Sequence, residues 1–155
     1  MGWLAGRTAV AFGVVLVTAL TLAEIGDRLP DLVADALDGD WTVYAHEWVD
    51  GLHPPCVIVG PAARMNHRGS TITVPTYTFV LRVWVDPNTD GAVALIHEAI
   101  DKGSPGSIVD AFEASAAAAT WALFMVNDTV SVDSIDRGQG TYLEALIPIT
   151  VTPRQ

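Results

Sequence analysis

The residues with the most reactive side chains are few and scattered. His97-Glu98 sits on a helix-like stretch, and the residue four after the histidine is Asp101. A zinc-protease helix needs a second histidine there, so that both imidazoles share one face; the spacing predicts a solvent-facing His97 instead. His46, His53 and His67 fall in loops or at strand ends, and their spacing suggests no metal cluster. Cys56 is the only cysteine, which excludes an intramolecular disulfide and any multi-cysteine metal site. It abuts an apolar run with no neighbouring base, the setting of a buried inert thiol rather than a nucleophile. Gly-x-Ser-x-Gly is absent. Gly103-Ser104-Pro105-Gly106 lacks the lysine that a phosphate-cradling loop sets on its ligand. Asp86, Asp90 and Asp101 are conceivable as paired acids, but turn and N-cap roles explain the first two equally well, and Asp101 suits a solvated helix face. The expectation is therefore not an enzyme: no catalytic residue, no metal and no cofactor.

Composition narrows the classes further. A chain of 155 residues predicts one domain, and 50% hydrophobic against 17% charged residues predicts a packed core. Eighteen acidic residues against eight basic ones give a formal charge of −10, and Lys102 is the only lysine. Such a chain neutralises few phosphates, which argues against non-specific nucleic-acid binding and against anionic lipid surfaces.

The first 21 residues stand apart from residues 22–155, which read as a single domain. From Thr8 to Ala23 run 16 uncharged residues between Arg7 and Glu24. A bilayer-spanning helix needs roughly 20 apolar residues, so the run is short for an anchor. It reads as an ordered helix, buried or packed on a partner. Two other readings stand beside it. One is a secretory signal with Thr21-Leu22-Ala23 as its small-residue cleavage site. The other is a misplaced start, with Val14, Val15 or Val17 as the true first residue.

The elements that follow predict an α+β fold: a mostly antiparallel sheet of four to five strands with helices packed on one face. Leu22, Ile25, Leu29, Leu32, Val33 and Ala36 form a helical stripe, with Pro30 expected to kink or split it and Gly39 suited to its left-handed end. Trp41–Ala45 and Cys56–Val59 read as strands, the second buried on both faces. Ser70–Val74 alternates and suits a hairpin arm or a strand extension. Tyr77–Val85 is the clearest strand. Tyr77, Phe79, Leu81, Val83 and Val85 point to the core, while Thr76, Thr78, Val80, Arg82 and Trp84 point to a surface that suits a partner. Asp86 to Asp90 supplies turn and N-cap chemistry for a helix striped by Val93, Ile96 and Ile100. Ser107 with Asp110 resembles a capping box, and Ile108, Ala111, Phe112 and Ser115 face inward on a helix that Ala116–Ala119 extend. Thr129–Ile135 and a strand carrying Leu143, Ala145, Ile147, Ile149 and Val151 close the chain around a turn at Arg137-Gly138-Gln139-Gly140. Pro148 makes that last strand an edge, or leaves its donor side unused there.

The order of these parts resembles the tail terminator (tail-completion) proteins of long-tailed bacteriophages. The matching stretches are Leu37-Asp38-Gly39-Asp40 followed by Trp41-Thr42-Val43-Tyr44, then Pro54-Pro55-Cys56-Val57-Ile58-Val59-Gly60-Pro61. Next come Val83-Trp84-Val85-Asp86, Gly106-Ser107-Ile108-Val109-Asp110-Ala111 and the Arg137–Gly140 turn. The resemblance spans Leu22 to Val151, about five-sixths of the chain, and leaves out the apolar N-terminal run. It implies a structural virion protein that forms a homohexameric ring on the head-proximal end of the tail tube, ends tube polymerisation and joins the tail to the neck. Its partners would be its own copies, the tail tube protein and a neck or head-completion protein. DNA would pass through the lumen without specific binding, a passage suited to an acidic subunit. No membrane partner is expected, and the protein would assemble in the host cytoplasm. Ring contacts are heterologous and need two different patches. Val80, Arg82 and Trp84 form one candidate patch, and Glu144 and Leu146 another, with an Arg82–Glu144 contact within or between subunits. The long loop Ala62–Val74, carrying Arg64 and Arg68, is the candidate arm toward a neighbour or the tube. Two alternatives stand beside this: a head–tail connector or neck subunit of the same virion, and an exported or membrane-tethered small binding domain.

Overall fold

The computed structural model describes residues 8–11, 14–17, 20–37, 39, 41–46, 51–60, 64–66, 75–127, 131–136 and 140–154, with backbone only for 8–11, 14–17 and 64–66. The architecture is α+β: three helices pack on one face of a mostly antiparallel sheet. The helices are α1 (Leu22–Leu37), α2 (Ala92–Ile100) and α3 (Ile108–Ala117). The strands are β1 (Thr8–Ala11), β2 (Val14–Val17), β3 (Thr42–Tyr44), β4 (Cys56–Ile58), β5 (Arg64–Asn66), β6 (Thr76–Val85), β7 (Ala122–Val126), β8 (Ser131–Asp136) and β9 (Thr141–Pro153).

The main sheet holds seven strands in five lateral positions, ordered β3-β4-β6-β9-β7. The extra two arise because each long central strand takes two short partners end to end along one side. β6 pairs with β4 and β5, and β9 with β7 and β8. Only β3 and β4 run parallel. The ladder between β6 and β9 runs from Tyr77↔Val151 to Val85↔Leu143. Tyr77, Phe79, Leu81, Val83 and Val85 are buried under the helices, as are Ala145, Ile147, Ile149 and Val151.

Helix α1 buries Ile25, Leu29, Val33 and Leu37, a strict spacing of four that presents one stripe. It runs unbroken through Pro30, so the expected split does not occur; tertiary burial on both sides of the proline holds the helix through one missing backbone bond. Gly39 closes it at φ 85°. Its start is a reciprocal capping box that the sequence reading passed over: Thr21 N donates to Glu24 Oε1 (3.0 Å) and Glu24 N to Thr21 Oγ1 (3.3 Å). The residues read as a cleavage site are thus the cap and first turn of α1.

Helix α2 turns its buried side through Ala92, Ile96 and Ala99, so Val93, expected in the stripe, is 57% exposed instead. Its N-cap is Gly91 in the left-handed region, without a side-chain cap; Asp86 instead accepts from Asn88 N to shape the turn before it. Helix α3 has half of the expected box. Ser107 Oγ accepts from Asp110 N at 3.1 Å, while the Asp110 carboxylate turns away to accept from Gly103 N. Its buried residues are Ile108, Val109, Phe112 and Ala116.

Three further expectations are corrected. The N-terminal run is strand, not helix, where it is described: β1 and β2 pair antiparallel in a sheet of their own. Thr8, Val10, Val14, Val15 and Val17 are β-branched, which favours the pleated backbone. Ala122–Val126, unassigned in the sequence reading, is β7. And β9 is internal rather than an edge. Pro148 lies where β9 changes partner, with β8 paired through Leu146 and β7 from Ile149 onward. Its missing N–H therefore falls in the gap between them, the second of the two readings of this proline. Ser70–Val74 and the Arg137–Gln139 turn lie outside the described residues.

The two side-chain caps give an expectation for stability. Thr21→Ala and Ser107→Ala should each cost about 1 kcal/mol, read as a lowered urea midpoint at unchanged slope.

Candidate functional site

The second face of the sheet carries every candidate residue whose side chain is described. Even-numbered positions of β6 and β9 point there, opposite the helices. The face divides into two halves of different character.

One half is closed. Cys56, Ile58 and Trp84 form a small second core, flanked by Tyr44, Leu52, Ile135 and Tyr142. Trp84 stacks on Tyr142 with ring centroids 5.0 Å apart and planes 11° from parallel. Its indole Nε1 donates to Glu144 Oε2 at 2.8 Å. Trp84 is 2% exposed and Glu144 7%. Neither is the exposed contact residue the sequence suggested. Each satisfies the other across the β6–β9 register, where they stand directly opposite. Arg82 is half-buried and opposite Leu146, two register positions from the Trp84–Glu144 pair.

The other half is open. Thr76, Thr78 and Val80 of β6 and Leu146, Pro148, Thr150 and Thr152 of β9 are half-buried. Beside them β7 presents Leu123 at 54% and Met125 at 61% exposure, opposite Thr152 and Thr150. Val80 and Leu146 therefore do sit on an accessible face, while Leu123 and Met125 are additions. The alternation of Leu123-Phe124-Met125-Val126 could have revealed them; the alanine run before it read as a continuing helix. Phe124 turns inward between Phe112 (5.7 Å, edge-on) and Trp121 (5.1 Å, edge-on), which anchors β7 to α3. Arg28 of α1 lies over Trp121, 5.6 Å from the ring centroid.

Arg64 lies on β5, backbone-paired to Thr78. Arg68 and most of the Ala62–Val74 loop lie outside the described residues.

Among the described residues the reactive side chains are not brought together. His97 is exposed on α2 and His53 is exposed in a loop, its N–H donating to the Tyr44 hydroxyl at 3.2 Å. Among the described residues no group of three or more His, Cys, Asp or Glu is placed to hold a metal ion. Burial pushes the Cys56 thiol up to about 11, which keeps it protonated and unreactive near neutral pH. The surface pair Lys102–Glu113, 3.0 Å apart, is well exposed and contributes little. The open half offers apolar contact through Leu123 and Met125 beside half-buried threonines. The chain matches no protein-family model and no curated protein.

Two measurements probe the closed half. Trp84→Phe removes the indole donor from a buried carboxylate and should cost about 1–3 kcal/mol, with Glu144→Gln milder because an acceptor remains. For Cys56 the folded thiol titrates at about 11 against 9.0 for an open one. The unfolded state therefore releases its proton first. Stability is intact below pH 9 and falls as pH rises toward 11, at up to about 1.4 kcal/mol per pH unit. Melting curves of the native chain and of Cys56→Ala over that window should differ by this slope.

Proposed function

We propose that this chain is a structural virion subunit of the tail-terminator kind. Copies close head to tail into a ring, cap the head-proximal end of a phage tail tube, and present a face to the neck. The observation that carries the reading is the one-sided sheet: three helices seal one face, and among the described residues half of the other stays accessible, with Leu123 and Met125 exposed on it. A subunit of a closed ring needs two different contact patches. An open face with Val80, Leu146, Leu123 and Met125 supplies one, and the sheet's lateral edges supply others.

Two further features support it. The order of helix, short strands, long strand, two helices and closing strands follows the arrangement whose resemblance was noted in the sequence. The −10 charge suits a lumen through which DNA moves without sticking. The role requires no reactive centre, and the reactive side chains stand apart from one another. Among the described residues no helix is long and apolar enough to cross a membrane.

The test is native mass with negative-stain images, followed by addition of purified tail tubes. The expected particle is a hexamer of about 99 kDa, six times 16.5 kDa, with a central hole, seated at one tube end. A chain that stays monomeric and leaves tube ends bare overturns the proposal. Binding on the portal side instead would move the subunit to the neck.

A further inference from the structure

The edge of β7 has what a docking strand needs. Arg154 N donates to Trp121 O and Asn127 N to Pro148 O. In an antiparallel ladder bonded pairs recur every second residue, so Leu123 and Met125 direct their backbone groups to β9. Ala122, Phe124 and Val126 direct theirs outward. Among the described residues no strand pairs with that side. A hollow of about 230 Å³ runs beside it, walled by Phe112, Ala116 and Ala117 of α3, with the opposite charges Glu113 and Arg154 at its margin. A second of about 460 Å³ adjoins at Val126 and continues to Ile100 and Asn127. An edge with outward donors and acceptors, a helix wall and exposed apolar side chains accepts an extended segment by strand addition.

The sequence says which segment. Copies that carry −10 each repel, so they meet at least cost where neither brings charge. The two longest uncharged runs in the chain are Thr8–Ala23, 16 residues, and Ala114–Asn127, 14 residues. The second contains β7. The first contains β1 and β2, Thr-Ala-Val-Ala and Val-Val-Leu-Val, which among the described residues pair only with each other. A lone two-stranded hairpin is marginal in water and needs a sheet or an apolar surface beside it.

We propose that the N-terminal hairpin of one copy adds to the β7 edge of the next, with Leu123 and Met125 as its cross-strand neighbours on the second face. The two patches differ, so the contact is heterologous and propagates head to tail. The inference deepens the ring reading and rests on it only for closure.

The test uses full-length chains. Copies carrying Val15→Cys or Leu16→Cys are mixed with differently tagged copies carrying Met125→Cys and treated with a short bis-maleimide. Adjacent strand positions alternate faces, so both hairpin variants are needed. Buried Cys56 does not compete. The expected product is a covalent pair joining the two tags. Met125→Asp in the full chain should abolish self-association while leaving the far-UV circular dichroism of the folded subunit unchanged, since Met125 is 61% exposed. A ring that assembles without this cross-link overturns the inference and leaves the ring reading standing. Cross-linked open chains that never close keep the inference and remove the ring. A Leu16→Cys, Met125→Cys double variant that links only within one chain overturns it, as does a monomer that never cross-links.

Discussion

The pairing of β6 with β9 is the constraint from which the rest of the molecule follows. Nine successive register pairs, Tyr77↔Val151 through Val85↔Leu143, fix which residues lie under the helices and which lie on the opposite face. Side chains alternate along each strand. A slip of one residue in β9 would send Ile147 and Ile149 outward and Glu144 into the helix layer, and a slip in β6 would do the same with Phe79, Leu81 and Arg82. The apolar burial at these positions therefore enforces the register, and the register in turn places Trp84 opposite Glu144. Helices α1 and α3 then close over a surface whose shape the ladder has already set.

The same ladder explains why the second face is uneven. At one end the strands β4 and β8 flank it, and Trp84, Tyr142, Cys56 and Ile58 close over one another. At the other end β7 contributes Leu123 and Met125, and nothing described lies over them. Function, on the reading developed above, resides where the sheet is unfinished. The closed end gives that surface a rigid base, because a buried aromatic stack with a satisfied carboxylate resists rearrangement.

The long strands were legible because a two-residue period sustained over nine or more positions has no helical counterpart. Helix α1 was legible from its four-residue stripe, and Gly39 from its place after that stripe. What escaped had specific causes. Trp84 alternates onto the second face, and alternation names the face without naming who covers it; the partner, Glu144, is 60 residues away. Ala122–Val126 follows an alanine run with strong helical propensity, so the change from helix to strand between Ala117 and Ala122 left no sharp signal. The N-terminal run is apolar without clear period, and only its β-branched content pointed to strands. Thr21 and Glu24 carry a recognisable capping pattern that a competing cleavage-site reading obscured.

Pro148 has a mechanical consequence. It removes one donor at the place where β9 exchanges β8 for β7, opposite Asn127, whose own N–H still donates to the Pro148 carbonyl. The sheet has a seam there. β7 and β8 are each held through β9, and β7 also through the Phe124 wedge against α3. At the Trp84 end the aromatic stack and the indole–carboxylate bond brace the ladder as well, so the two ends of the second face are tied to β9 by different means.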